Sequence, residues 1–304
     1  MTIISEEMPA PKTKIETPLR RFLAEFLESW LARVALFSLL SIIALALCAP
    51  WITPQNPYDL AQVSVMDSRL PPGSNAFDGY TMWLGSDGAG RDLYSAILYG
   101  LRISLSVGVT SGVIALIIGT AIGLLAAYAG GRVETVIMRL VDLQLSFPAA
   151  LTALILIAIL GKGVDKIIIA LVLVQWAYYA RTVRGSALVE RRKEYIEAAS
   201  CLGLSHKRIV FRHIMPNCLA PLIVVGTVQT AHAIALEATL SFLGVGLPQT
   251  EPSLGVLIAN GYEYMLSGRY WISVFPGIAL LLTIVSINLV GDQLRDVLNP
   301  RLKR

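Results

Sequence analysis

The chain has 304 residues, 55% of them hydrophobic and 15% charged, with a mean hydropathy of +0.64. Soluble domains carry about 25% charged residues, so this balance excludes an ordinary water-soluble globule and points to the bilayer. The net charge of +4 is explained by membrane topology and does not call for a nucleic-acid partner.

A span needs roughly 20 mostly apolar residues to cross a hydrocarbon core about 30 Å thick. Six segments qualify, at approximately 34–53, 103–128, 135–160, 167–187, 218–246 and 273–292. Lipid offers the backbone no hydrogen bonds, so each is expected to be a helix. The runs are continuous rather than alternating, which argues against a β-barrel. The expected fold is an all-α membrane protein with six transmembrane helices. Its divisions are an N-terminal arm (1–33), a first anchor (34–53), an external loop (54–102), a core of five helices (103–293) that includes a cytoplasmic loop (188–216), and a tail (294–304). The first segment reads as an uncleaved anchor, because a basic arm precedes it and its apolar part is too long for a signal peptide. With both ends on one side, nineteen of the 25 lysines and arginines share that side. The positive-inside rule then makes both termini and the central basic loop cytoplasmic.

The external loop is irregular, with Pro54, Pro57, Pro71 and Pro72 and the run LGSDGAGRD from Leu84 to Asp92. It reads as an ordered interfacial loop capped by Asp and Gly, or as an external lid. The second span carries Gly108, Gly112, Gly119 and Gly123 along one face. These paired GxxxG elements predict close helix packing, within the subunit or against another. Arg139 and Asp142, at the inner end of the third span, are spaced as a helical pair, and Pro148 there and Pro276 in the sixth span would kink or end a helix. The fifth span carries Gln229, His232 and Glu237 within one broad face. Ionisable groups in a span are costly and usually face a cavity or a partner. Gln229 and Glu237 are therefore candidates for a translocation path, and Glu237→Gln is expected to reduce transport without loss of assembly. A structural hydrogen bond or ion pair is the competing reading. Asn288, Asp292 and Asp296 mark the inner end of the sixth span, as a solvated helix end or a contact with a partner.

Cys48, Cys201 and Cys218 lack pairing or metal spacing. The sequence has no HExxH or GxSxG motif and so offers no catalytic or metal constellation. It also lacks GxxxxGK[ST], so a working bundle must import its energy through a partner or couple to an ion gradient.

The segment from Glu194 to Asn217 is charged and helix-forming, yet it lies between two apolar spans. Gly203 suits a left-handed helix C′ position, and Ser205 a cap for a second helix over about 206–214. Lys207, Arg208 and Arg212 make that second helix basic, and Pro216 is expected to separate it from the fifth span. Ala198 and Ala199 would let another backbone approach closely. The product is an elbow at the membrane surface, offered to a partner in water or resting on anionic headgroups.

The elbow Glu197-Ala198-Ala199-x3-Gly203 resembles the EAA loop of ABC-importer permeases, whose form is Glu-Ala-Ala-x3-Gly-x9-Ile-x-Leu-Pro. Pro216 keeps its spacing, while His213 stands at the Ile position and Met215 at the Leu position. A His there is usual in the branch importing oligopeptides and dipeptides. The resemblance extends over nearly the whole chain from about residue 33. It includes LGSDGAGRD, SLSVGV, MRLVDLQLSFP, EATLSFLGVGLP and NLVGDQLRDVLNPRL. The chain is similar to the second permease subunit (the DppC/OppC type) of dipeptide, oligopeptide or nickel importers.

That resemblance implies the ABC type I importer permease bundle in a bacterial cytoplasmic (inner) membrane. It implies a second homologous permease, two cytoplasmic ATP-binding subunits and an external substrate-binding protein as partners. Glu197, Ala198, Ala199 and Gly203, with His213 and Pro216 completing the loop, would dock on an ATPase subunit. The chain would bind no cofactor and catalyse no reaction, with ATP and Mg used by the partners. The substrate would be a peptide, with nickel or glutathione as alternatives. A self-contained secondary transporter would need inverted repeats or broken helices around a midplane site, and the sequence shows no convincing repeat.

Overall fold

The computed structural model describes residues 17–298, apart from 249 and 252. Most of the N-terminal arm (1–16) and the last part of the tail (299–304), with the end of the NLVGDQLRDVLNPRL motif, lie outside the described residues.

A short helix α1 (Pro18–Phe26) leads into α2 (Trp30–Ile52). A loop with a small hairpin, β1 (Ser74–Asn75) and β2 (Thr81–Met82), connects α2 to α3 (Leu93–Ala129). There follow α4 (Gly131–Ser146), α5 (Ala149–Leu160), α6 (Val164–Arg191), α7 (Glu194–Cys201), α8 (His206–Ile209), α9 (Met215–Phe242), α10 (Leu254–Tyr262) and α11 (Trp271–Leu298). Five helices are long and apolar enough to cross a membrane, and α4 with α5 makes up to a sixth, broken span.

The third span, expected over 135–160 with a kink or end at Pro148, is broken there: α4 and α5 meet at 92°. Phe147 precedes Pro148 and is extended (φ −92°, ψ 141°), because the proline ring disfavours helical backbone at the residue before it. Pro148 itself caps α5, which at 12 residues rises only about 18 Å. Pro276, by contrast, is accommodated within α11 and ends nothing.

Helix α3 is the axis of the bundle, and its 37 residues extend about 56 Å, well beyond one bilayer core. It packs along α6 and α9, and the four glycines make that possible within the subunit. A Cβ at Gly108 would lie 2.5 Å from Ile234 of α9, while at Gly119 and Gly123 it would lie 2.5 Å from the carbonyl oxygens of Trp176 and Ala180 of α6. Gly112 is looser, with Thr230 Oγ1 at 3.2 Å.

The loop before α3 is tightly built. Asp87 Oδ1 accepts from the amides of Ala89 (2.8 Å) and Arg91 (2.9 Å), and Arg91 and Asp87 form a buried ion pair at 3.0 Å. Gly85 and Gly90 have φ of +80° and +88°, and a Cβ on Gly90 would lie 2.1 Å from Ser64 O. Asp92 caps α3 by accepting from the Ser95 amide at 2.8 Å, and burial pushes its carboxyl above the usual carboxylate range. This loop packs at one end of the bundle with α10 and the start of α11. The opposite end gathers α1, the start of α2 and the end of α11. There too lie the end of α3 and the α7–α8 elbow, joined by a ring contact between Tyr128 and His206.

Candidate functional site

The elbow forms because its sequence ends one helix and starts another within four residues. Helix α7 closes with a Schellman motif: the Gly203 amide donates to Ser200 O (3.0 Å) and the Leu204 amide to Ala199 O (3.2 Å). Gly203 takes φ +70°, and a Cβ there would meet nothing within 4 Å. Ser205 occupies the cap position of α8, but its side chain makes no capping bond.

The second arm differs from expectation. Helix α8 passes through a π-helical turn, Val210–Ile214, straight into α9, with Pro216 inside its first turn. Pro216 therefore joins the elbow to the fifth span instead of separating them. Proline has no amide to donate and needs no partner in a first turn, and the wider π turn opens the ladder just before it. The elbow is thereby joined to α9 without an intervening loop.

Ile196, Ala199, Ile209 and Ile214 seat the elbow in one apolar cluster with Tyr179, Val183, Cys218 and Leu222 of α6 and α9. Each buried isoleucine stabilises the seat by roughly 1.5–3 kcal/mol. Ala199 thus faces the core, and of the two alanines only Ala198 is open to an approaching backbone. Polar latches add direction. Arg191 Nη1 donates to the carbonyls of Ala127 (2.9 Å) and Tyr128 (3.1 Å) at the end of α3, and its guanidinium lies 5.4 Å from the Tyr128 ring centroid. Tyr128 Oη bonds His206 Nδ1. On the other flank Tyr195 Oη donates to Glu190. Asn217 Nδ2 donates to Tyr195 Oη (2.9 Å) and to His213 O (2.7 Å). Burial and the Glu190 carboxylate push the Tyr195 hydroxyl up to about 12. The His213 ring sits 6.5 Å from that of Tyr195, on the seat side of the elbow.

The outward face is left unsatisfied. Glu197, Ala198, Cys201 and Leu202 are all exposed and, at spacings of one and four, share one side of α7. Leu202 is 80% exposed. Glu197 makes no side-chain hydrogen bond or ion pair among the described residues.

In α9 the three polar residues do not share a fate. Glu237 is 0% exposed. Its Oε2 accepts from Ser104 Oγ of α3 (2.8 Å) and its Oε1 from Ser241 Oγ (2.8 Å), with Ser253 as a third hydroxyl partner. The group ties α3, α9 and the entry to α10 together through these bonds. Gln229 is nearly buried, its backbone carbonyl accepting from Gln175 Nε2 at 3.2 Å, yet it lines a cleft of about 760 Å³ between α6, α9 and the end of α11. Asp292, Arg295 and Arg181 line the same cleft. His232 is exposed, one turn beyond Val228 at the top of the cleft. Its three-residue offset from Gln229 was visible, but not that the buried and open faces of α9 divide between them. Asp142 bonds Arg181 of α6, not its neighbour Arg139.

The helical bundle has the length and apolarity of a multi-pass membrane protein, with a latched elbow at one end and an open cleft beside it. The chain belongs to the family described as binding-protein-dependent transport system inner membrane component, which matches residues 119–304. Residues 17–72 match the N-terminal TM domain of oligopeptide transport permease C. A Brucella suis relative that carries a peptide transport system permease name is 44% identical over 89% of this chain and 88% of its own length. The di/tripeptide transport system permease protein DppC of Pseudomonas aeruginosa is 37% identical, covering 96% and 95%. The glutathione transport system permease protein GsiD of Pectobacterium atrosepticum is 36% identical, covering 95% and 93%. The fold also matches a chain of the MetNI methionine ABC transporter in an inward-facing conformation. That match has a TM-score of 0.55 and 20% identity, over 67% of this chain and 96% of that one.

Proposed function

We propose that this chain is one of two different permeases of an ATP-driven importer of di- or oligopeptides, with its elbow as the handle by which separate ATPase subunits move it. The observation that carries the reading is the elbow itself. Its inner face is seated and latched, its outer face presents Glu197, Ala198 and Leu202 without partners among the described residues, and its second arm is continuous with α9. A solvated loop would not need to be held so firmly while exposing a leucine. The termini and elbow are cytoplasmic in this reading, in line with the distribution of lysine and arginine. An external binding protein delivers substrate from the other side. ATP binding closes the motors and turns the pore outward, and hydrolysis returns it. In this reading Gln229, in the cleft, and His232, just beyond it, line the path. The chain itself provides walls and lever, and the partners use the ATP and Mg.

Peptide is favoured over nickel by the names of the relatives, and a tripeptide such as glutathione belongs to the same chemical class. The test is uptake of a labelled dipeptide in cells with the full set of subunits, with and without this chain. Loss without it, rescue by wild type and failure of Leu202→Glu to rescue are expected. Rescue by Leu202→Glu would refute the docking face. Uptake that does not depend on the chain would refute the dipeptide assignment and turn the assay to labelled glutathione or nickel.

A further inference from the structure

The side of the bundle formed by α3 and the start of α9 holds an apolar groove of about 630 Å³, separate from both the cleft and the outer face of the elbow. Ile117 of α3 and Leu219 and Ile223 of α9 line it and are 63%, 45% and 48% exposed. Towards the elbow the lining changes to His206, Lys207 and Phe211. Helix α3 borders the groove from residue 116 to residue 128, a rise of about 18 Å, close to the thickness of one leaflet of a ~30 Å core. Lys207 makes no hydrogen bond or ion pair among the described residues, and no carboxylate lines the groove. Arg208 and Arg212 add charge on the same arm.

An apolar slot one leaflet deep that ends in an unpaired ammonium matches one acyl chain below an anionic headgroup. We propose that the groove binds a single phospholipid with a negatively charged headgroup, whose phosphate is held by Lys207 and whose chain lies against Ile117, Leu219 and Ile223. An apolar helix of a second permease fits less well, because it would cover Lys207 without compensating its charge. The lipid touches Phe211 and Lys207 on the segment that joins elbow to α9. The proposal needs only the membrane setting and does not depend on the substrate or on the ATPase contact.

The test uses the full-length chain, purified with the subunits that accompany it, in nanodiscs containing phosphatidylglycerol or only phosphatidylcholine. Retained lipid is counted by native mass spectrometry, and occupancy is titrated with phosphatidylglycerol. One phosphatidylglycerol per chain is expected, retained in preference to phosphatidylcholine. Lys207→Gln should weaken it about fivefold, the effect of one basic charge at an anionic surface. Ile223→Trp, which fills the slot, should abolish retention while the assembly stays intact. Equal retention of the two lipids, or unchanged retention in Lys207→Gln, would overturn the proposal. So would efficient disulfide cross-linking of Ile117→Cys to a neighbouring subunit, since protein would then cover the groove.

Discussion

Substitution of Gly203 separates strain from contact at the elbow. Its φ of +70° lies in the left-handed region, and a Cβ there meets nothing within 4 Å inside the subunit. A residue such as Ala therefore pays only the backbone cost of about 1–2 kcal/mol, a factor of roughly 5 to 30 in the population of the turned form. Asn and Asp tolerate this region better and are nearly isosteric with each other. If the turn lies against an ATPase subunit, Gly203→Asn should keep uptake within a few-fold of wild type. Gly203→Ala should reduce it by no more than the strain allows. Gly203→Asp should abolish it, because its carboxylate would be desolvated in the contact. The assay is ATP-dependent dipeptide uptake by the complete importer in proteoliposomes, with the ATPase rate recorded alongside. Similar melting temperatures for the three variants would show that the bundle itself is intact. Equal uptake by the Asn and Asp variants would refute the docking of this turn, because they differ there by a charge alone.

Glu237→Gln should fold and transport close to wild type, since an amide can still bond two of the three hydroxyls, whereas Glu237→Ala should cost about 3–5 kcal/mol and remove most folded protein. Size-exclusion chromatography of fluorescent fusions checks this, and normal recovery of the Ala variant would exclude the structural role. Gly119→Ala and Gly123→Ala should each destabilise by about 1–3 kcal/mol through overpacking, and Gly112→Ala by clearly less. Thermal melts in detergent rank the three, and equal melting points would contradict the close approach of α3 to α6. Arg191→Ala releases the bond from the end of α6 to α3, just before the elbow, so trypsin should cut near Arg192 and Lys193 several times faster while the melting temperature of the bundle barely moves. Unchanged cleavage would mean that the apolar seat and the remaining latches hold the elbow without Arg191.

What could be read from the sequence was what each residue decides locally. A Gly placed just after a run of helix formers has few uses besides a left-handed C′ turn, and the elbow's first arm follows from it. Apolar runs of 20 residues have little choice in lipid, so the spans are visible too. The direction of a helix after a break is different. The apolar pattern runs on across Phe147 and Pro148, and the direction of the 92° turn goes with the packing of α4 on α6, where Val141 is buried with Ala177 and Ala180 and Asp142 and Glu134 meet Arg181 and Arg184, 39 and 50 positions away. Pro216 misled for a related reason. As a helix breaker it marks a boundary, but whether that boundary is a gap or a first turn depends on the backbone before it, and the π turn is not written in any single residue.

Glu237 makes the distinction sharpest. The cost of an ionisable group in a span correctly demanded a polar environment, but cost does not say who supplies it. A water-filled path and three serine hydroxyls both satisfy the demand. Ser104 is 133 residues away, and no helical spacing links the two. His232, only five residues earlier on the same helix, is exposed and has no internal partner among the described residues, so any partner it has lies outside the subunit. The pair therefore inverts the order expected from charge alone, and the residue exposed on α9, rather than the one most deeply buried, is where transport should be sensitive to substitution.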